Sequence, residues 1–260
     1  MAKIFACARF ARLIFLLLKG FFIVVLCFPF LGEKSKALKV QGWSIQVLSC
    51  LGILVRRVGE LSFQGPLLIV SNHISWLDVL VLHSLGYCRF IAKSEIRSWP
   101  VVGFLTQRTG MFFIERGRSK SAVSVMRHMT QALANGDALA VFPEGTTSDG
   151  LGLLPFHANL LEAAVVANAP VLPVCISYVD RVSAQYAGEP SFVGDITFLQ
   201  SLWITLRAKP INAVIQVGER EWAGARNRKE WAKDLRGKVL ELMQATQTTP
   251  STLKLPRVPG

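Results

Sequence analysis

From residue 60 onward, short apolar runs alternate with stretches of helical character, and this alternation restricts the fold more than any other feature of the chain. Runs of strand length fall at about 67–71, 89–92, 111–115, 138–142, 171–178 and 211–217. Helical stretches fall at about 75–86, 100–109, 119–135, 157–168, 196–207 and 226–246. Strands joined through helices cannot form hairpins, so they lie mostly parallel and need helices over their faces. The predicted fold is α/β: a mixed, mostly parallel sheet flanked by helices, preceded by an N-terminal membrane-anchoring helical segment.

That segment is the second constraint. From Leu13 to Leu31 the only charged residue is Lys19. The run is close to the roughly 20 apolar residues that cross a hydrocarbon core. No small-x-small cleavage site follows it, so an uncleaved anchor is expected rather than a signal peptide. Lys3, Arg9 and Arg12 precede it, and Lys34, Lys36 and Lys39 follow it. This near-symmetry leaves open both a spanning helix and one held within a single leaflet. Residues 40–57 read as a second helix, with Trp43, Val47, Leu48 and Leu51 at helical spacing and Arg56–Arg57 at its end. The expected division is an anchor and amphipathic helix over 1–58, one catalytic-sized domain over 59–247, and a flexible tail over 248–260.

Composition narrows the class. Hydrophobic residues make up 51% of the chain, mean hydropathy is +0.39, and the net charge is +12. An apolar, basic chain suits an anionic bilayer surface. Nucleic acid is not expected as a partner, because zinc-finger spacing, an aromatic RNA-binding signature and a basic heptad helix are all missing. The five scattered cysteines form no C-x-x-C pair, which predicts neither a disulfide framework nor a zinc site.

Three polar stretches follow apolar runs. The first is Ser71-Asn72-His73-Ile74-Ser75-Trp76-Leu77-Asp78. His73 and Asp78 form H-x-x-x-x-D, a pattern that about one chain in ten of this composition carries by chance. Ser75 and Asp78 also have capping-box spacing, with Ser75 as N-cap. If so, His73 folds over the first helical turn, where the carboxylate holds one ring nitrogen and leaves the other free as a base. The second stretch, Gly110 to Gly117, ends an apolar run at Arg116, whose guanidinium suits a phosphate or carboxylate. The third, Phe142-Pro143-Glu144-Gly145-Thr146-Thr147-Ser148, is a tight polar turn that could hold an anionic head group. A fourth run, Val171 to Tyr178, reads as a buried supporting strand. Of the other histidines, His83 and His128 fall on helices, and His157 lies near the third stretch as a secondary contact.

Together, N-H-x-S-W-x-D at 72–78, G-x-F-F-I-x-R at 110–116, F-P-E-G-T at 142–146 and V-L-P-V at 171–174 resemble the lysophosphatidic acid acyltransferases (1-acylglycerol-3-phosphate acyltransferases) of the glycerolipid acyltransferase superfamily. The resemblance covers roughly residues 60–180. It implies that His73 is the general base and that Asp78 orients it. His73 would deprotonate the hydroxyl of a lysolipid acceptor, which attacks an acyl thioester, with no metal and no bound cofactor. The co-substrate is acyl-CoA or an acyl carrier protein thioester. Arg116 would hold the acceptor's phosphate, and Asn72, Ser75, Glu144, Gly145, Thr146 and Thr147 would shape its pocket. The implied location is the cell inner or cytoplasmic membrane, with the site facing the cytoplasm.

One departure bears on the acceptor. The family commonly places an arginine after the threonine of the third motif, where this chain has Thr147. Arg116, Arg118 or Lys120 would have to compensate. A branch that acylates lyso-ornithine lipid resembles this F-P-E-G-T-T-S form. The expected reaction is therefore acylation of 1-acylglycerol-3-phosphate to phosphatidic acid, with lyso-ornithine lipid as the alternative acceptor. A non-catalytic lipid-binding protein would not need a base, and a hydrolase of the α/β-hydrolase kind would need the G-x-S-x-G elbow that is missing here.

Overall fold

The structure is a computed structural model that describes residues 2–99, 101–115 and 119–248. The expected tail falls almost wholly outside them. Helix α1 (Ala2–Phe22) continues through a π-helical turn at Ile23–Cys27 and a 3-10 turn at Phe28–Phe30. Pro29 lacks the N–H that would carry the ladder onward, so the helix tightens and stops there. α2 (Glu33–Cys50) returns antiparallel beside it. The Trp43 indole N–H donates to the Leu16 carbonyl at 2.8 Å, and the Cys50 thiol donates to the Arg9 carbonyl at 3.3 Å.

The chain then builds seven strands: β1 (Ile53–Val58), β2 (Leu67–Ser71), β3 (Arg89–Lys93), β4 (Phe112–Ile114), β5 (Ala138–Val141), β6 (Val171–Asp180) and β7 (Ile211–Val217). They form one sheet in the order β1-β7-β6-β2-β5-β3-β4. Every pairing is parallel except β6 with β7. Between the strands lie α3 (Leu77–Leu85), α4 (Val102–Arg108), α5 (Ser119–Ala134), α6 (Glu162–Val166) and α7 (Phe198–Arg207), and α8 (Arg228–Thr248) closes the fold. The sheet is mixed and mostly parallel, as the alternation predicts.

The second predicted helix does not reach residue 57. α2 ends at Cys50, Gly52 turns the chain with φ +79°, and Ile53–Val58 pairs with β7 from Ile53↔Ile211 onward. Arg56 and Arg57 therefore lie on a strand. The sheet takes in residues before 59, and the expected boundary after residue 58 does not coincide with it.

Strand alternation sorts side chains into two cores. Leu67, Ile69, Ala138, Ala140, Leu172, Val174 and Ile176 face a core shared with α1, α2, α3 and α7. Leu68, Val70, Leu139, Val141 and Val171 face the other, under α5, α6 and the start of α8. β2 is buried along its whole length, which explains its unbroken apolar sequence. It lies between β5 and β6, so its C-terminal end opens where the chain order switches sides, the usual place for a site in such a sheet.

Candidate active site

The first polar stretch leaves the end of β2 at that opening. Asn72 is fully buried, and its amide continues the ladder toward β6: Nδ2 donates to the Ile176 carbonyl at 2.9 Å, and Oδ1 accepts from the Ile176 N–H at 2.8 Å. With both ends of the amide engaged by β6, Asn72 clamps the strand end rather than reaching a substrate.

His73 follows. Its Nδ1 donates to Asp78 Oδ2 at 2.8 Å, which fixes the tautomer and leaves Nε2 as the basic nitrogen. The His73 side chain keeps 20% of its surface, whereas that of Asp78 keeps none. The ring stacks on Phe142 at 4.0 Å and 7°. Asp78 Oδ2 also accepts from the Ile74 N–H at 2.7 Å and the Ser75 N–H at 2.9 Å. Its other oxygen accepts from the Tyr178 hydroxyl at 2.7 Å. Four donors thus compensate a carboxylate taken wholly out of water.

The expected capping box forms only in its carboxylate half. The N-cap of α3 is Trp76, and no side chain caps it. Among the described residues the buried Ser75 hydroxyl has no hydrogen-bond partner. Asp78 is drawn at once to the Ile74 and Ser75 N–H groups, to the His73 ring and to the distant Tyr178.

The third stretch follows β5 and grips the first through its backbone. Glu144 Oε1 accepts from the His73 N–H at 2.7 Å, and Oε2 accepts from the Leu154 N–H at 2.9 Å. Burial raises the Glu144 carboxyl above its ordinary range, against the two N–H bonds that lower it. The Ser148 N–H donates to the His73 carbonyl at 2.8 Å. The Thr147 hydroxyl donates to the Phe192 carbonyl, while the Phe192 N–H donates to the Ile74 carbonyl at 3.0 Å. Gly145 turns the chain at φ +68°, and a Cβ there would stand 2.9 Å from the His157 ring. His157 therefore covers the turn, and Gly145 and Thr146 stay exposed beside it.

The structure thus brings His73, Asp78, Asn72, Ser75, Glu144 and Thr147 into one linked cluster, with Gly145 and Thr146 on the same turn. Arg116 and Arg118 lie outside the described residues, as does the Lys120 side chain. β4, which leads toward Arg116, is the outermost strand beyond β3. His83 is buried under the same core and bonds the Cys88 carbonyl, and His128 stacks on Phe112. Among the described residues no group of His, Cys, Asp and Glu is placed to hold a metal ion.

Sequence reasoning missed Tyr178, which it left inside a purely structural strand. Burial and the Asp78 charge raise its phenol well above the ordinary value, so it stays a donor. The available signal was a tyrosine in an otherwise apolar strand, whose hydroxyl needs a partner when buried. That Asp78 is the partner lies 100 residues away in the chain.

The chain is similar to known acyltransferases. The family model described as Acyltransferase matches residues 52–177. The chain is 38% identical over 213 residues to the lyso-ornithine lipid O-acyltransferase of Brucella abortus, covering 76% of this chain and 79% of that protein. It is 38% identical over 179 residues to the 1-acyl-sn-glycerol-3-phosphate acyltransferase of Neisseria meningitidis, 69% of each. The crystal structure of the 1-acyl-sn-glycerophosphate (LPA) acyltransferase, PlsC, from Thermotoga maritima shares the fold at a TM-score of 0.64 and 21% identity, over 95% of this chain and 99% of that one.

Proposed function

The chain belongs to the acyltransferase family, and from that premise we propose that it esterifies the free hydroxyl of a lysolipid with a fatty acyl group taken from a thioester, using His73 as general base. The observation that carries this is the His73–Asp78 pair: Nδ1 held at 2.8 Å by a buried carboxylate, Nε2 left for a substrate proton. An alcohol is a weak nucleophile at neutral pH, and the thioester is already activated. His73 Nε2 takes the hydroxyl proton as the oxygen adds to the thioester carbon. The tetrahedral intermediate collapses by breaking its C–S bond, and the imidazolium returns the proton to the departing thiolate. Asp78 favours the imidazolium formed between those steps. Gly145 and Thr146, exposed on the turn that holds the His73 backbone through Glu144 and Ser148, are where the acceptor would rest.

For the acceptor, lyso-ornithine lipid is favoured. Thr147 supplies no cation, and its hydroxyl is occupied by Phe192. A zwitterionic head group needs fewer cations than a phosphate monoester. The relative from Brucella abortus carries that activity in its name. Lysophosphatidate is the second reading, supported by the equally identical relative from Neisseria meningitidis, with Arg116 as the phosphate contact.

On the same premise we propose that the protein sits on a membrane. α1 and its continuation over Ala6–Phe30 are long and apolar enough to cross one. The antiparallel docking of α1 on α2, which opens with Glu33, Lys34 and Lys36, favours a hairpin held in one leaflet on the cytoplasmic side.

The test pairs purified protein with lyso-ornithine lipid and lysophosphatidate, each with acyl-CoA and with acyl carrier protein thioester. One product should dominate, and His73→Ala should lower its rate by at least about 10³-fold, the scale of losing a general base. Normal turnover by His73→Ala would sink the mechanism, and steady thioester hydrolysis without acceptor would replace it with a hydrolase.

A further inference from the structure

The outer face of α7 carries exposed apolar side chains that the acyl-transfer site does not use. The helix is well specified: Thr197 caps it, with the Gln200 N–H donating to the Thr197 hydroxyl and the Gln200 side chain accepting from the Thr197 N–H. Ser201, Leu202, Thr205 and Leu206 point inward. Leu199, Trp203 and Ile204 point outward at 72%, 40% and 41% exposure. Leu199 and Trp203, four apart, lie on one helical face, and Ile204, next to Trp203, widens the exposed apolar surface around the helix.

The patch does not stand alone. α7 packs directly against α1, where Arg9 Nη1 donates to the carbonyls of Leu206 and Ala208 at 3.0 and 3.1 Å. α1 exposes its own apolar face, including Ile14, Phe15 and Leu18. Both exposed apolar surfaces are therefore carried by helices in direct contact. Arg207 and Lys209 follow the patch at its C-terminal end, in a chain of net charge +12. Apolar side chains, a tryptophan and flanking cations are the composition of a helix lying in a bilayer interface.

We propose that α7 is a second membrane-seating element, lying on a lipid surface beside α1 with Leu199, Trp203 and Ile204 inserted and Arg207 and Lys209 at the head groups. Its inner face carries the consequence. The Ser201 hydroxyl accepts from the Trp76 indole N–H at 3.1 Å, and the Trp76 ring packs on Phe198 at 5.2 Å. Trp76 lies between His73 and Asp78. Seating α7 therefore orients the first catalytic turn toward the bilayer that holds the acceptor. The seating itself is independent of the proposed chemistry; its effect on turnover rests on that chemistry.

The experiment uses the full chain and vesicles of phosphatidylethanolamine and phosphatidylglycerol with brominated acyl chains. The fluorescence lost on Trp203→Phe should be emission that the bromolipid quenches. If the lost emission is unquenched, Trp203 is outside the bilayer and the proposal is overturned. Leu199→Glu/Ile204→Glu should lower turnover of vesicle-embedded acceptor by about 10-fold or more while leaving a monomeric short-chain acceptor within about twofold. Equal loss on both acceptors assigns the patch to folding, and a native dimer that the double variant dissociates assigns it to a second copy; either overturns the proposal. Activity surviving in His73→Ala would strike the chemistry and leave the quenching result standing.

Discussion

Asp78 shows how much one carboxylate in this fold is asked to do. It accepts from His73, Ile74, Ser75 and Tyr178 while fully buried. Among the described residues Tyr178 alone serves Oδ1, so Tyr178→Phe leaves that oxygen buried without a donor, at a cost of about 1–3 kcal/mol. The unshared carboxylate becomes more basic and draws the His73 proton more strongly. The acid limb of the pH–rate profile should therefore move to higher pH, with kcat reduced; a profile superimposable on the native one would exclude Tyr178 as a positioning residue. His83 bears on stability instead. Burial depresses its imidazole from 6.5 to about 4. Between those values the unfolded chain holds more protons, so the contribution is full above pH 6.5 and is lost as pH falls through the window to about 4. A shift of that size corresponds to about 3 kcal/mol. Urea unfolding across pH 7 to 4 should show this loss, and His83→Gln should flatten that part of the curve.

At the scale of elements, the apolar runs located six strands, and β1 escaped because Val47, Leu48, Leu51 and Ile53 continue one apolar pattern across the helix end. Gly52 is the break. With φ +79° it sits where a side chain is strained, and a Cβ would stand 2.8 Å from Arg9 Nη2. Arg9 in turn holds the end of α7. Gly52→Ala should lose about 1–2 kcal/mol from backbone strain alone. A double-mutant cycle with Arg9→Ala, read by urea midpoint, should be non-additive, because one change displaces what the other removes. A strand such as β1 is recognised by its partner β7, 158 residues later at Ile53↔Ile211, and no local period reports that pairing.

For the whole molecule, charge and apolar surface act together. In the proposed seating on a membrane, the +12 net charge would attract an anionic surface over a screening length, whereas the α1 face would act by burial. Raising salt from about 0.05 to about 0.5 M shortens that length roughly threefold. Flotation with phosphatidylglycerol vesicles should weaken across this range, and flotation with neutral phosphatidylcholine vesicles should not change. Equal salt sensitivity on both would remove the apolar contribution.

The sequence by itself determined the layered α/β fold, the apolar N-terminal helix and the pairing of a histidine with a carboxylate, because strand runs, hydropathy and a five-residue spacing are local properties. Only the tertiary structure decided that Asn72 and Glu144 serve as backbone clamps, that Ser75 is not the cap, that Thr147 ties Phe192 in place, and that Tyr178 completes the Asp78 shell. Each depends on partners brought together from β2, β5 and β6. A buried polar side chain takes whichever donors and acceptors packing brings within about 3 Å, and those are chosen by the topology of the sheet rather than by neighbours along the chain.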